Sequence, residues 1–188
     1  MPDRQDEDFR RIRSPFEGKL VRLRAIEEDD LPRLSELFND PEVLQSLEQV
    51  VFPEPLAGTR AWWVQSRNSP SQEAFAIETL SGELVGACDL RGISRRSRTA
   101  VLGIWIGKPF WNRGYGTDAV RTLCRFGFRE LNLQRIQLHV HETNTRAVRA
   151  YEKVGFKEEG RLRRAHFVDG RYVDVIVMGL LVEELPEP

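Results

Sequence analysis

Long apolar runs are missing from this 188-residue sequence. None approaches the roughly 20 residues that a membrane-spanning helix needs. The opening stretch, MPDRQDEDFRRIRSPFEG, holds no apolar core like that of a secretory signal. The sequence therefore predicts a cytoplasmic chain without a membrane partner. Cysteine is scarce too. Cys88 and Cys124 stand far apart in apolar patterns, form no C-x-x-C pair, and read as buried free thiols in a reducing compartment. Of three histidines, His139, His141 and His166, only His139-x-His141 has anything like ligand spacing, so no metal is expected. Charge of one sign is also lacking: 28 Lys plus Arg against 29 Asp plus Glu give a net charge of -1. That balance leaves no electrostatic footprint for nucleic acid or an anionic membrane.

What is present suits one globular unit. Hydrophobic residues make up 40% of the chain and charged residues 30%, enough for a core. Residues 1–16 are densely charged, with Phe9, Ile12 and Phe16 as the anchors on offer, and read as a loose arm. A single domain is expected over 17–183, followed by a tail, 184–188.

Along that domain the periodicities alternate. KLVRLRAI alternates as a first strand, and Leu31, Leu34, Leu37 and Phe38 fall at helical spacing after the acids EEDD. Those acids complement the positive end of a helix, or could line a site for a cation. Asn39-Asp40-Pro41 reads as a helix stop. A second helix is expected over Leu56 to Arg67, then a three-strand meander, EAFAIETL, LVGACDLRGI and AVLGIWIG, with a solvated basic tip at SRRSR. Val120, Leu123, Cys124, Gly127, Phe128 and Leu131 make a strong amphipathic helix. RIQLHVHE is a strand with Ile136, Leu138 and Val140 on one face. Asn144 can cap the next helix, striped by Ala147, Tyr151 and Val154, and a hairpin turning at Asp169-Gly170 closes the chain. The predicted class is α/β: a mixed, largely antiparallel central sheet with helices on both faces, in the order β-α-α-β-β-β-α-β-α-β-β.

The stretch WNRGYGTDA carries the chemistry. Gly114, Gly116 and Ala119 satisfy the G-x-G-x-x-G/A fingerprint of dinucleotide folds. In those folds the strand runs almost directly into the first glycine, whereas here GKPFWNR intervenes. Roughly a hundred residues of helices and meander also precede the motif, and Glu142 lies well past the spacing of about twenty residues for a ribose-binding acid. The shared physics survives: two glycines let backbone N–H groups converge at a helix amino terminus, a site for pyrophosphate.

RGYGT opening a helix, then NTRAVRAYEKVGF after the next strand, resembles the GNAT superfamily of acetyl-CoA-dependent N-acetyltransferases. The element order matches, and the resemblance runs from about Lys19 to Leu181. The closing EEGRLRRAHFVDGRYVDVIVMGLL looks most like the branch of ribosomal-protein N-terminal acetyltransferases, and spermidine acetyltransferases end similarly. The superfamily commonly has Gln or Arg three residues before the first glycine. Here Trp111 stands there, as it often does in the N-terminal-acetyltransferase branch.

The resemblance implies acetyl-CoA as cosubstrate, an amine as acceptor, and direct attack of that amine on the thioester. Arg113, Gly114, Tyr115, Gly116 and Thr117 would hold the pyrophosphate through backbone N–H groups. Ile104, Trp105 and Ile106 would line the pantetheine where their strand splays from Arg135–Val140, one N–H polarising the thioester carbonyl. Asn144 would bond the pantetheine or serve as a cap alone. Tyr151 corresponds to the family's general acid, since a phenol with a pKa of about 10 can protonate a thiolate of about 8.5. Glu142, at the exit of its strand, could act as base or only favour the following helix; His139 and His141 read as structural.

With no strong base in view, an α-amine is the better-suited acceptor. It needs about 1.4 kcal/mol to become neutral at pH 7, against about 4.6 kcal/mol for a lysine-like amine. The sequence reading therefore expects a protein or peptide N-terminus or a small amine as acceptor. A polyamine acceptor, or an acyl-CoA-binding regulatory protein without turnover, are the alternatives. The edges of the closing hairpin could support a homodimer.

Overall fold

The computed structural model describes residues 14–47 and 52–186. The first thirteen residues of the expected charged arm, with Phe9 and Ile12, and the last two of the tail lie outside them. Phe16 does anchor its segment, its ring packing 5.8 Å from that of Phe75 and 5.2 Å from that of Phe126.

Seven strands form one sheet: β1 (Val21–Arg24), β2 (Gln72–Thr79), β3 (Leu84–Ser94), β4 (Thr99–Ile106), β5 (Arg135–His141), β6 (Lys157–Val168) and β7 (Arg171–Leu181). Their spatial order is β1-β2-β3-β4-β5-β7-β6, with every neighbour antiparallel except β4 and β5. The helices are α1 (Leu31–Phe38), α2 (Pro41–Ser46), α3 (Leu56–Arg67), α4 (Tyr115–Arg129) and α5 (Thr145–Val154). The mixed, largely antiparallel sheet with helices on both faces is the class the sequence predicts.

Among the described residues, α2 is the one helix the sequence does not predict. Asp40 accepts the Glu42 N–H at 2.9 Å and Pro41 supplies the first helical position, so the residues that end α1 also start the next turn. The acids EEDD form a 3₁₀ turn whose Asp30 binds Arg24 and whose Glu28 pairs with Arg60. They brace the structure and lie apart from the cleft described below.

The sheet's two faces bury different layers. α4 and α5 cover one face through Leu123, Cys124, Phe128, Tyr151 and Val154, against Leu90, Leu102, Ile136 and Leu138. α1 and α3 cover part of the other, where Leu31 and Leu34 meet Ala76 and Ala87, with Trp62 and Trp63 packed alongside. Both cysteines are buried free thiols, and burial pushes their pKa values upward, which keeps them as inert core residues. The Asp118 carboxylate locks β1 to the first turn of α4 by accepting the N–H groups of Lys19, Leu20 and Val21 at 3.1, 2.7 and 3.1 Å. Asp169 and Gly170 both adopt positive φ at the closing hairpin, as a two-residue turn requires.

Candidate active site

β4 and β5 pair in parallel only at Thr99–Arg135, Ala100–Ile136 and Val101–Gln137, and beyond that point they separate. The gap opens into a cleft of about 910 Å³ that passes between the strands from the α1–α3 face to α4 and α5. Gly107 N–H donates to Val85 O at 2.8 Å, and Ile106 lies opposite Gly86. Antiparallel alternation then directs the main-chain groups of Trp105 to β3 and those of Ile104 and Ile106 into the gap. Trp105 thus lines the cleft by its side chain, while Ile104 and Ile106 present backbone. The Ile106 carbonyl already accepts the Trp111 indole N–H at 2.6 Å.

Past β4 the chain makes a short 3₁₀ turn, Lys108–Phe110, before the glycine loop. Gly114 has φ +83°, a conformation that favours glycine, and it swings the chain into α4. The α4 ladder begins with Asp118 N–H on Gly114 O, so the N–H groups of Tyr115, Gly116 and Thr117 precede the first helical bond. They sit at the positive end of a 15-residue helix, and Gly114, Tyr115, Gly116 and Thr117 all line the cleft. A Cβ at Gly116 would meet only the Ile106 side chain, at 3.6 Å, so the approach is open. This is a fitting cradle for a pyrophosphate. Arg113 is exposed and does not itself line the cleft, although its guanidinium lies 5.9 Å from the ring of Phe110, which does.

α5 closes the cleft from the other strand. Asn144 caps it, accepting the Ala147 N–H at 3.1 Å, and also donates to Ser46 O at 3.0 Å. Tyr151 is buried among the core residues and lines the cleft. Arg146, which the sequence reading did not single out, lays its guanidinium on the Trp111 ring at 3.4 Å. Burial pulls its pKa below the usual guanidinium value, yet a guanidinium stays charged at any working pH. A cation held over the residue that replaces the family's Gln or Arg therefore stands at the mouth of the phosphate cradle.

Glu142 is not brought to the cleft. Its carboxylate accepts the Asp174 N–H at 3.1 Å and faces Arg161 at 3.7 Å. His141 is buried with its Nε2 2.9 Å from His166 Nδ1, whereas His139 lines the cleft.

Asp89 and Gly103 were missed by the sequence reading. The Asp89 residue, on β3, is 8% exposed and lines the cleft. Its Oδ2 accepts Gln72 Nε2 at 2.9 Å and its Oδ1 accepts Arg91 Nη1 at 3.2 Å. Burial raises its pKa above the ordinary carboxylate value, against the opposing pull of Arg91 and Gln72. It is paired with Gly103 on β4, and a Cβ there would run into both the Asp89 carboxylate and the Arg91 guanidinium. The signal was available: a carboxylate inside the apolar run LVGACDL, and a glycine inside a strand.

An unpaired strand edge, a pyrophosphate cradle at one end and a helix-borne tyrosine across the gap suit an acyl thioester carried on a nucleotide. A family model described as an acetyltransferase (GNAT) domain matches residues 21–157. The chain belongs to the GNAT acetyltransferases. Its cosubstrate is acetyl-CoA, which supplies an activated acetyl group as a thioester. Spermidine N(1)-acetyltransferase of Vibrio cholerae is 30% identical to this GNAT acetyltransferase over 162 residues, 85% of this chain and 91% of that protein. The solved structure of spermidine N-acetyltransferase from Vibrio cholerae in complex with CoA and spermine superposes with a TM-score of 0.80. At 29% identity it covers 87% of this chain and 96% of that one.

These likenesses correct the expected branch. A putative ribosomal N-acetyltransferase of Bacillus subtilis is 27% identical, over 87% of this chain and 92% of that protein, but the likeness runs more closely to spermidine acetyltransferases. The expected branch rests on the closing segment, which forms β6 and β7, and on Trp111, which lines the cleft. No residue of either strand lines the cleft.

Proposed function

We propose that this acetyltransferase moves the acetyl group of acetyl-CoA to a primary amine of a polyamine of the spermidine type. The observation that carries this reading is the near full-length likeness to an enzyme solved with CoA and spermine. Two carboxylates in the cleft, Glu54 and Asp89, are available to a cationic acceptor, beside the cations Arg91, Arg146, Arg149 and Lys153. The preference for an α-amine rested on the lack of a base, and a buried cleft carboxylate weakens that argument.

In this reading the N–H groups of Tyr115, Gly116 and Thr117 hold the pyrophosphate, with Arg146 and Trp111 beside it. The gap-facing main chain of Ile104 and Ile106 aligns the pantetheine. A β4 N–H polarises the thioester carbonyl, a donor fixed by the sheet before the substrate arrives. Asn144 sets the start of α5, and Tyr151 gives its phenolic proton to the departing sulfur. Glu142, engaged with Asp174 and Arg161, takes no part.

Thiol release from acetyl-CoA, followed with spermidine, spermine, amino acids and peptides bearing free N-termini, tests the proposal. Turnover is expected with the polyamines, with little or none for peptides. Turnover confined to peptides or amino acids would refute the polyamine assignment, and acetyl-CoA binding without release from any amine would refute the reaction itself.

A further inference from the structure

A protonated amine cannot attack a thioester. A polyamine amine with a pKa near 10.4 needs about 4.6 kcal/mol to become neutral at pH 7, so the site requires a group that takes the proton. The cleft geometry limits the choice. The glycine loop lies beyond the carboxyl end of β4, so a pantetheine arm running back from the cradle passes Ile106, then Ile104. Its reactive end arrives where the β4–β5 gap closes, at Gly103, just past the last pair at Val101.

The Asp89 carboxylate stands over Gly103 together with the Arg91 guanidinium bonded to it, both in the space a Cβ would otherwise fill. It is on the α1–α3 face, the side away from α4 and α5, where Trp62, Gln65 and Gln72 also line the cleft. We infer that Asp89 is the general base of the transfer, receiving a proton from the acceptor ammonium above Gly103. This rests on the proposed function only in requiring a protonated amine as acceptor.

One proton passes from the ammonium to the Asp89 carboxylate, which frees the nitrogen lone pair. Nitrogen bonds to the acetyl carbon as the carbon–sulfur bond breaks, and sulfur takes the Tyr151 proton. The second proton lost by nitrogen restores Tyr151, and Asp89 gives its own to solvent. The sum is ammonium plus acetyl thioester to acetamide, thiol and one proton.

The surroundings fit that task. Gln72 from β2 and Arg91 from β3 each bond one carboxylate oxygen and orient it, leaving a further lone pair on each. Burial raises the proton affinity of Asp89, which makes it a better base than an exposed aspartate. The other charged groups lining the cleft are Glu54, His139 from β5, and Arg146, Arg149 and Lys153 from α5.

The test is the pH profile of kcat and KM in wild type, Asp89→Asn and Asp89→Glu, with His139→Gln as control. Wild type is first assayed on spermidine, and on whichever amine turns over if spermidine does not, so that a failed substrate assignment is seen separately. Asp89→Asn is expected to lower kcat by about 100-fold or more at pH 7, within the usual range for a general base. It should leave acetyl-CoA affinity unchanged and abolish the acid limb that wild type and His139→Gln share. Its residual rate should rise about tenfold per pH unit as free amine accumulates, and Asp89→Glu should recover part of the loss. Should Asp89→Asn misfold, the wild-type limb decides: it must lie above the ordinary carboxylate range. A wild-type-like kcat, a rise in KM alone, a limb that disappears only in His139→Gln, or no acid limb in wild type would overturn the assignment.

Discussion

Tyr151 owes its place to two patterns at once. It falls on the apolar stripe of α5 with Ala147 and Val154, and it also reaches the cleft. Spacing alone cannot separate those roles, because a core tyrosine and a proton donor occupy the same helical position. Removing only the hydroxyl separates them. Tyr151→Phe is expected to lower kcat at least tenfold with little change in acetyl-CoA affinity, read from initial rates and a binding titration; an unchanged kcat would remove its assignment as the acid. Asp89 was hidden for the opposite reason. A polar residue in an apolar strand declares itself, and Arg91 shares its face at i+2, but Gln72 and Gly103 come from the two neighbouring strands, and no spacing in the sequence brings those to it. Glu142 looked well placed as the last residue after a strand. The Asp174 N–H and Arg161, both from the closing hairpin, draw its carboxylate elsewhere.

At the level of elements, the amphipathic α4, the capped α5 and the Asp169-Gly170 hairpin were legible because each rests on local chemistry: a 3.6-residue period, an Asn cap, a two-residue turn. The separation of β4 from β5 was not written in either strand. It follows from only three parallel pairs and from a glycine at the point of parting. That glycine makes the gap and its carboxylate one device. Gly103→Ala would push aside the Asp89 and Arg91 side-chain ends, both able to rotate, more than it would disturb backbone. The expected result is a folded protein with about tenfold lower kcat and unchanged acetyl-CoA binding, since a misplacement of about 1 Å can cost up to 100-fold. Circular dichroism with steady-state kinetics checks both halves.

Across the whole molecule, the β1 edge is tied to the sheet by charge. Burial alone would raise the Glu78 pKa, but Arg24 and Arg22 hold it below the usual glutamate value, and Arg24 likewise lowers Asp30. Carboxylates with depressed pKa values stabilise the fold above their unfolded values, about 4.3 and 3.9, and lose that contribution as pH falls through the folded ones. The contribution of Glu78 and Asp30 should therefore be flat from pH 7 to about 5 and fall below about 4. Glu78→Gln should cost about 2 kcal/mol at pH 7, the scale of bonds to charged groups, and should flatten the acid loss; denaturant melts across pH measure both. The large scale also held the clearest error of the sequence reading, since a hairpin remote from the cleft pointed to the N-terminal-acetyltransferase branch, and the likeness to spermidine acetyltransferases overturns that branch. The most direct test of the account is accordingly the ratio of kcat/KM for spermidine to that for a peptide with a free N-terminal alanine or serine, at pH 7 with saturating acetyl-CoA. A ratio well above one, in favour of spermidine, is expected, and a ratio near or below one would refute the polyamine assignment.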